Sequence, residues 1–467
     1  MPRRVSVLHE LLISAGLLLA TVTAPAHALW AQAAEFTIPP SNVVPNYNRV
    51  SLGQREALEA GAYVARTDDA LANWYNPAGL SLSEKTALNA SSNAFQVTSA
   101  KLNGVGPQVS STRFSPVNGF FGFVVGTPIV KSPRWRFGFG YTRPVAWSPG
   151  TIRGGFDMPV GGGIEAFSYS SAVSFSTTIP SLNTGYRLSP TVRLGLGIGV
   201  GITDLTQNQT LTDRLVMPTS VATGIRVIST DGSVYHLLLS AGAQWDLAPN
   251  VTLGGLLSLP GIRMGGSSEI TLSQTVFQAG GASDDLAFAD PSAKFDYRIP
   301  FRAVVGATYR YARGQVELDV RYFAGHAAYP LFSSDSTALH ITTIGAGIPA
   351  VTAPALAPVL VQTRSIVAAA IGGNYSLFRS LGVHAGFFVD PSPVSAPAQS
   401  IVRAVDLIGF SGGVSFGAGR LTASLGASAS WGTTSERQIG PSLGGLQTVT
   451  EVYVQTVTGL YAISFEF

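Results

Sequence analysis

The chain reads as an all-β protein: an antiparallel transmembrane β-barrel of about fourteen strands, preceded by a small, partly helical segment. Three observations predict this. Asp, Glu, Lys and Arg make up 12% of the 467 residues, where a soluble domain carries about 25%. Past the N-terminal leader, no stretch offers the roughly 18 uninterrupted apolar residues that a membrane helix needs. From Thr86 onward, apolar residues recur at every second position, the period of a strand with one face toward lipid.

Residues 1–33 read as a signal peptide. Arg3 and Arg4 supply the positive start, Leu11 to Ala20 a short apolar run, and Ala26-His27-Ala28 or Ala31-Gln32-Ala33 the small-residue cleavage site. The run is too short to span a bilayer. Its removal leaves about 435 residues, room for one large barrel. The chain has no cysteine, which excludes a disulfide scaffold, a thiolate metal site and a Cys nucleophile. A net charge of +3 is too weak to indicate nucleic acid or another polyanion as partner.

Residues 34–84 differ from the rest of the chain and are expected to form a hatch, not a strand. Ala34 to Asn48 is rich in Pro and Asn; Gln54 to Ala72 places Ala, Leu and Glu at helical spacing. The stretch from Asp68 to Leu80 reads as a short helix that stops at Asn76-Pro77. Pro77 has no N–H and disfavours a helical Asn76. Gly79 can take a positive φ, and Asn76 can bond nearby backbone.

Residues 85–467 form the expected barrel. From Leu194 to Ile202, Leu and Ile or Val occupy one face and Gly the other. An apolar outside suits lipid, and a Gly inside suits close approach of another backbone. The segment Phe301 to Phe323 reads as a hairpin turning at Arg313-Gly314, with Arg310 opposite Glu317 and Thr308 opposite Asp319. The same pattern places strand cores at 86–99, 113–129, 134–147, 165–187, 191–205, 233–247 and 250–264. It continues at 293–312, 315–324, 364–377, 381–390, 403–417, 420–431 and 449–467. Short connections alternate with long ones at 206–232, 265–292 and 325–363, the last holding the apolar run Ile348 to Val361. An even strand count puts both ends of the barrel chain on the periplasmic side.

Chemistry-bearing motifs are weak. Gly409-Phe410-Ser411-Gly412-Gly413 matches G-x-S-x-G, but it lies inside an alternating strand and not at a strand–turn–helix elbow. His384 has no Asp placed to orient it, and the other His residues lack metal-ligand spacing. Gly195 to Gly201 lacks the spacing of a dinucleotide loop. No cofactor, no metal and no enzymatic activity are expected. The alternatives to a transporter are a general diffusion porin, a structural barrel or, further off, an outer-membrane lipase.

Three stretches stand out: Leu52 to Arg55 through Asp69 to Tyr75-Asn76-Pro77-Ala78-Gly79-Leu80; Ile299-Pro300-Phe301-Arg302 through Leu318-Asp319-Val320; and Gly373-Asn374-Tyr375 through Asp390-Pro391-Ser392-Pro393-Val394. Together they resemble the FadL-type family of bacterial outer-membrane transporters for long-chain fatty acids and other hydrophobic compounds. The terminal Phe467, closing an alternating aromatic strand, resembles the sorting signal of such proteins. The resemblance implies a monomer in the outer membrane, in contact with its lipid. Its cargo would be a long-chain fatty acid or another hydrophobic small molecule, caught by outer loops, held in an apolar pocket and released sideways at a kinked third strand. Carried over by motif, Asn76, Pro77 and Ala78 would be the hatch tip beneath the pocket. Pro144, inside Arg134 to Trp147, cannot donate to the ladder, which makes Tyr141, Pro144 and Trp147 the candidate lateral gate. The long loop at 325–363 departs from the family in its apolar content.

Overall fold

The computed structural model describes residues 36–37, 46–47, 52–104, 109–126, 129–160, 162–279, 282–343, 350–353, 355–395, 405–442 and 445–467. The expected leader, residues 1–33, lies outside them. So do Ile348, Pro349 and Pro354 of the apolar loop.

A closed antiparallel barrel of 14 strands forms the body of the protein. The first seven strands are β1 (Ala87–Gly104), β2 (Val109–Val125), β3 (Trp135–Val160), β4 (Gly163–Arg187), β5 (Val192–Met217), β6 (Ser220–Ala248) and β7 (Val251–Ser258). The remainder are β8 (Arg302–Tyr311), β9 (Gly314–Phe323), β10 (Ile366–Phe378), β11 (Leu381–Asp390), β12 (Leu407–Ala418), β13 (Leu421–Ser442) and β14 (Gly445–Glu466). Each pairs with the next, and β14 pairs with β1 to close the wall.

The alternation sets the two faces. Leu196 is 62% exposed on the outside, while Thr308 and Glu317 are buried inside. Glycines on the inner face leave room for the segment 52–84. A Cβ on Gly195 would lie 2.2 Å from Ala78 N, and one on Gly254 would lie 2.4 Å from Ala65 Cα. Any larger residue there would push the segment from the wall.

The β8–β9 hairpin keeps the expected faces but slides in register. Tyr311 pairs with Gly314, so the loop is Ala312-Arg313, and Thr308, not Arg310, faces Glu317. Gly306 faces Asp319. A two-residue change in the sum of paired positions preserves the faces, which is why the pattern alone did not distinguish the two registers.

Two of the expected loops are strand. β5 and β6 pair without interruption from Val192↔Trp245 to Met217↔Ser220, and Ile262–Gln278 pairs with β6 and with Ala282–Phe295. A bilayer needs about 9–11 tilted residues, so these ribbons run far past it. Polar residues such as Gln207, Asn208 and Gln209 hide the alternation in the sequence, yet Gln207 and Gln209 point inward and Asn208 outward.

The lumen at the long-loop end is filled by an apolar core that includes Val145, Phe175, Leu205, Ile270, Phe295 and Leu331. The apolar loop divides. Leu356, Val359 and Val361 join this core, whereas Val351 and Leu360 remain exposed.

Candidate functional site

The segment 52–84 crosses the barrel interior as two short helices, α1 (Arg55–Leu58) and α2 (Ala72–Tyr75), and a 3₁₀ turn over Pro77–Leu82. The expected helix stop is present. Asn76 is extended, and its Oδ1 accepts from Ala78 N at 3.2 Å. Its Nδ2 donates to Val64 O at 2.8 Å and to Ala243 O of β6 at 2.9 Å. Gly79 is not in the positive-φ region. It is required for space, because a Cβ there would lie 2.2 Å from Thr67 O.

A buried ionic network ties the same segment to the opposite wall. Arg66 pairs with Glu59 and, at 3.0 Å, with Glu317. Glu59 Oε1 also meets His384 Nδ1 at 2.5 Å and accepts from Asn374 Nδ2 at 3.1 Å. Asp319 accepts from Tyr63 N at 3.0 Å. Burial works to raise the Glu59 pKa, but Arg66 and His384 overcome it and hold the carboxylate below the usual range. His384 is therefore oriented by a glutamate from the N-terminal segment, not by an aspartate. Ser411 donates to Leu58 O at 2.9 Å and accepts from Ala60 N at 2.8 Å, in the middle of β12. Its hydroxyl is an anchor in the same set.

Above the segment lies an apolar cavity of about 130 Å³. Trp74, Ile179, Leu238, Leu256, Tyr297 and Ile299 line it, with Asn73, Tyr47 and Arg302. A smaller cavity of about 40 Å³ shares Tyr47, Trp74, Pro144 and Arg302 with it. The Arg302 guanidinium sits 4.8 Å from the Trp74 ring centre. The Tyr47 ring packs at a tilt against Phe323, with centroids 4.9 Å apart. Asn76, Pro77 and Ala78 are not among the lining residues. They fix the segment to the wall, and Asn73 and Trp74, one turn earlier, face the cavity. The sequence did not single out Arg302, although its ladder neighbours Phe323 and Ser258 offer no acidic partner.

The wall beside the cavity is broken. β2 and β3 pair from Val125↔Phe137 to Phe120↔Thr142, and pairing resumes at Ser110↔Arg153 with a register shift between. On its other side β3 carries two bulges against β4. Thr142 faces Ile179 but Val145 faces Thr177, and Trp147 faces Phe175 but Gly150 faces Val173. Each inserts one residue, bends the strand and swaps its faces. Tyr141 thus points outward and is 41% exposed, while Trp147 belongs to the inner apolar core. Pro144 sits at the first bulge, buried, and lines both cavities. Val145 lines the larger one, so the cavity reaches the break.

The backbone as a whole matches solved structures closely enough to fix its fold. A FadL homologue from Pseudomonas aeruginosa aligns over 90% of this chain and 100% of its own, at 14% identity and a TM-score of 0.57. The toluene transporter TodX from Pseudomonas putida aligns over 89% and 99%, at 15% and 0.57. The monoaromatic hydrocarbon channel CymD aligns over 90% and 99%, at 12% and 0.54. The chain has the FadL-type fold. No family model and no curated protein matches its sequence.

Proposed function

We propose that the chain is a passive outer-membrane channel for hydrophobic compounds. In this reading the segment 52–84 is the hatch, the apolar cavity is the holding site, and the break between β2 and β3 is a side exit into the bilayer. The observation that carries the reading is the cavity of about 130 Å³ ending at Pro144 and Val145, where the strand pairing lapses. The fold shared with toluene and hydrocarbon channels supports it. Each methylene held in water costs about 0.8 kcal/mol. A path from an apolar pocket to lipid avoids that step and runs downhill without a nucleotide.

The sequence left two cargo classes, long-chain fatty acids and other hydrophobic compounds. The volume favours small apolar molecules, because an engineered cavity of about 150 Å³ admits benzene. A fatty acid would have to extend through the break. Cells whose outer membrane carries the protein should take up p-xylene faster than cells without it. Leu238→Trp, which fills the cavity, should return uptake to background at unchanged protein level. Equal uptake by parent and variant would refute the cavity as the route.

A further inference from the structure

We propose that Arg302 is a headgroup site, and that the cavity takes a monocarboxylate whose apolar body is about the size of one aromatic ring. The proposal rests on the cavity being the transport pocket. Among the described lining residues of the larger cavity, Arg302 is the one charged side chain. Its Nε is buried and has no hydrogen-bond partner. No carboxylate pairs with it among the described residues, and its ladder neighbours are Phe323 and Ser258. The nearby Arg321 differs, since it contacts Asp319 and donates to Gly61 O at 2.6 Å.

The indole of Trp74 satisfies part of the Arg302 charge through its π face. It accepts none of the N–H bonds that a guanidinium offers in its own plane. A neutral hydrocarbon would leave that donor edge as it is. A carboxylate brings two oxygens to it, the geometry for which a guanidinium is best suited. The remaining wall fits an aromatic body. Trp74, Tyr47, Tyr297 and Phe323 surround the space with rings, and Ile179, Leu238 and Ile299 close it. Its volume of about 130 Å³ is close to the roughly 150 Å³ that accommodates benzene.

The test is a calorimetric titration of the full-length protein in detergent with p-toluate and with p-xylene, which differ at the carboxylate. Parent, Arg302→Gln and Arg302→Lys are compared, with heat-dependent gel mobility confirming that each is folded. Arg302→Gln should weaken p-toluate about ten- to a hundredfold, the loss of a hydrogen-bonded charge, and weaken p-xylene far less. Arg302→Lys should recover part of the p-toluate affinity. Unchanged p-toluate binding in Arg302→Gln would overturn the proposal. An equal loss of both compounds would also overturn it, by showing that Arg302 acts through Trp74 and the cavity shape. If p-xylene binds the parent and p-toluate does not, this proposal falls and the transport reading stands. If neither binds, both fall.

Discussion

A single amide, that of Asn76, closes three bonds, two within the segment and one to the wall. Its Nδ2 satisfies two buried carbonyls, Val64 O and Ala243 O, and its Oδ1 caps Ala78 N. Asn76→Ala should cost about 1–3 kcal/mol for each acceptor left unpaired, read as a lower urea midpoint for loss of the folded gel mobility. Asn76→Asp should lower it further than Asn76→Ala, because a carboxylate oxygen then faces the two carbonyls in place of the donor. An unchanged midpoint in Asn76→Ala would show that the amide anchors nothing. The sequence made Asn76 and Pro77 visible as a helix stop. It did not say that they serve the wall while Asn73 and Trp74 serve the cavity. That division depends on which β-strand each residue meets, and such contacts have no local signature. Gly79 shows the same limit: turn chemistry suggested a positive φ, and the actual constraint is the approach of Thr67 O.

In the proposed side-exit route the deciding element is β3. Its two extra residues, one at each bulge, misalign it against β4, and its pairing with β2 lapses over the same stretch. Proline is accommodated at a bulge because the ladder bond is already absent. Pro144→Val retains the inserted residue and should leave p-xylene uptake near the parent level. Deleting Pro144 removes the insertion, realigns β3 with its neighbours and should lower uptake to background in a protein that still shows folded gel mobility. Full uptake by the deletion variant would exclude the break as the exit. The position of Pro144 was legible in the sequence, since a proline inside an alternating strand demands a bulge or an edge. The second bulge, at Ser148-Pro149, was not recognised, because strand alternation was no longer traced past Trp147. The β8–β9 register slipped for a related reason: both candidate turns preserve every face.

For the molecule as a whole, the lumen is occupied twice, by the segment 52–84 at the short-turn end and by the apolar core at the other. A planar bilayer recording should therefore show low conductance. Gly254→Val, whose side chain would run into Ala65, should raise it; equal conductance would show that the segment does not block the pore. The network around Glu59 adds a pH dependence. Its carboxylate is held below its usual 4.5, so its stabilisation is complete above that value and is lost as the pH falls through the lowered pKa. Conductance should stay low at neutral pH and rise only in acid below about 4.5. A rise near pH 6.5 would assign control to a histidine instead. Strand number, closure and the inward glycine face were all legible, because a barrel in lipid must alternate along every strand. The long paired ribbons beyond the bilayer were not, since polar residues occupy both of their faces.

The central claim is that the cavity holds an apolar molecule, and bound-ligand content tests it most directly. The protein is purified in mild detergent, extracted, and its bound small molecules identified by mass spectrometry, in parallel with Leu238→Trp and with Asn76→Ala combined with Pro77→Ala. The account predicts a stoichiometric apolar compound in the parent, none in the filled cavity and an altered amount in the loosened segment. An empty parent after exposure to saturating p-xylene, or the same load in parent and Leu238→Trp, would contradict it.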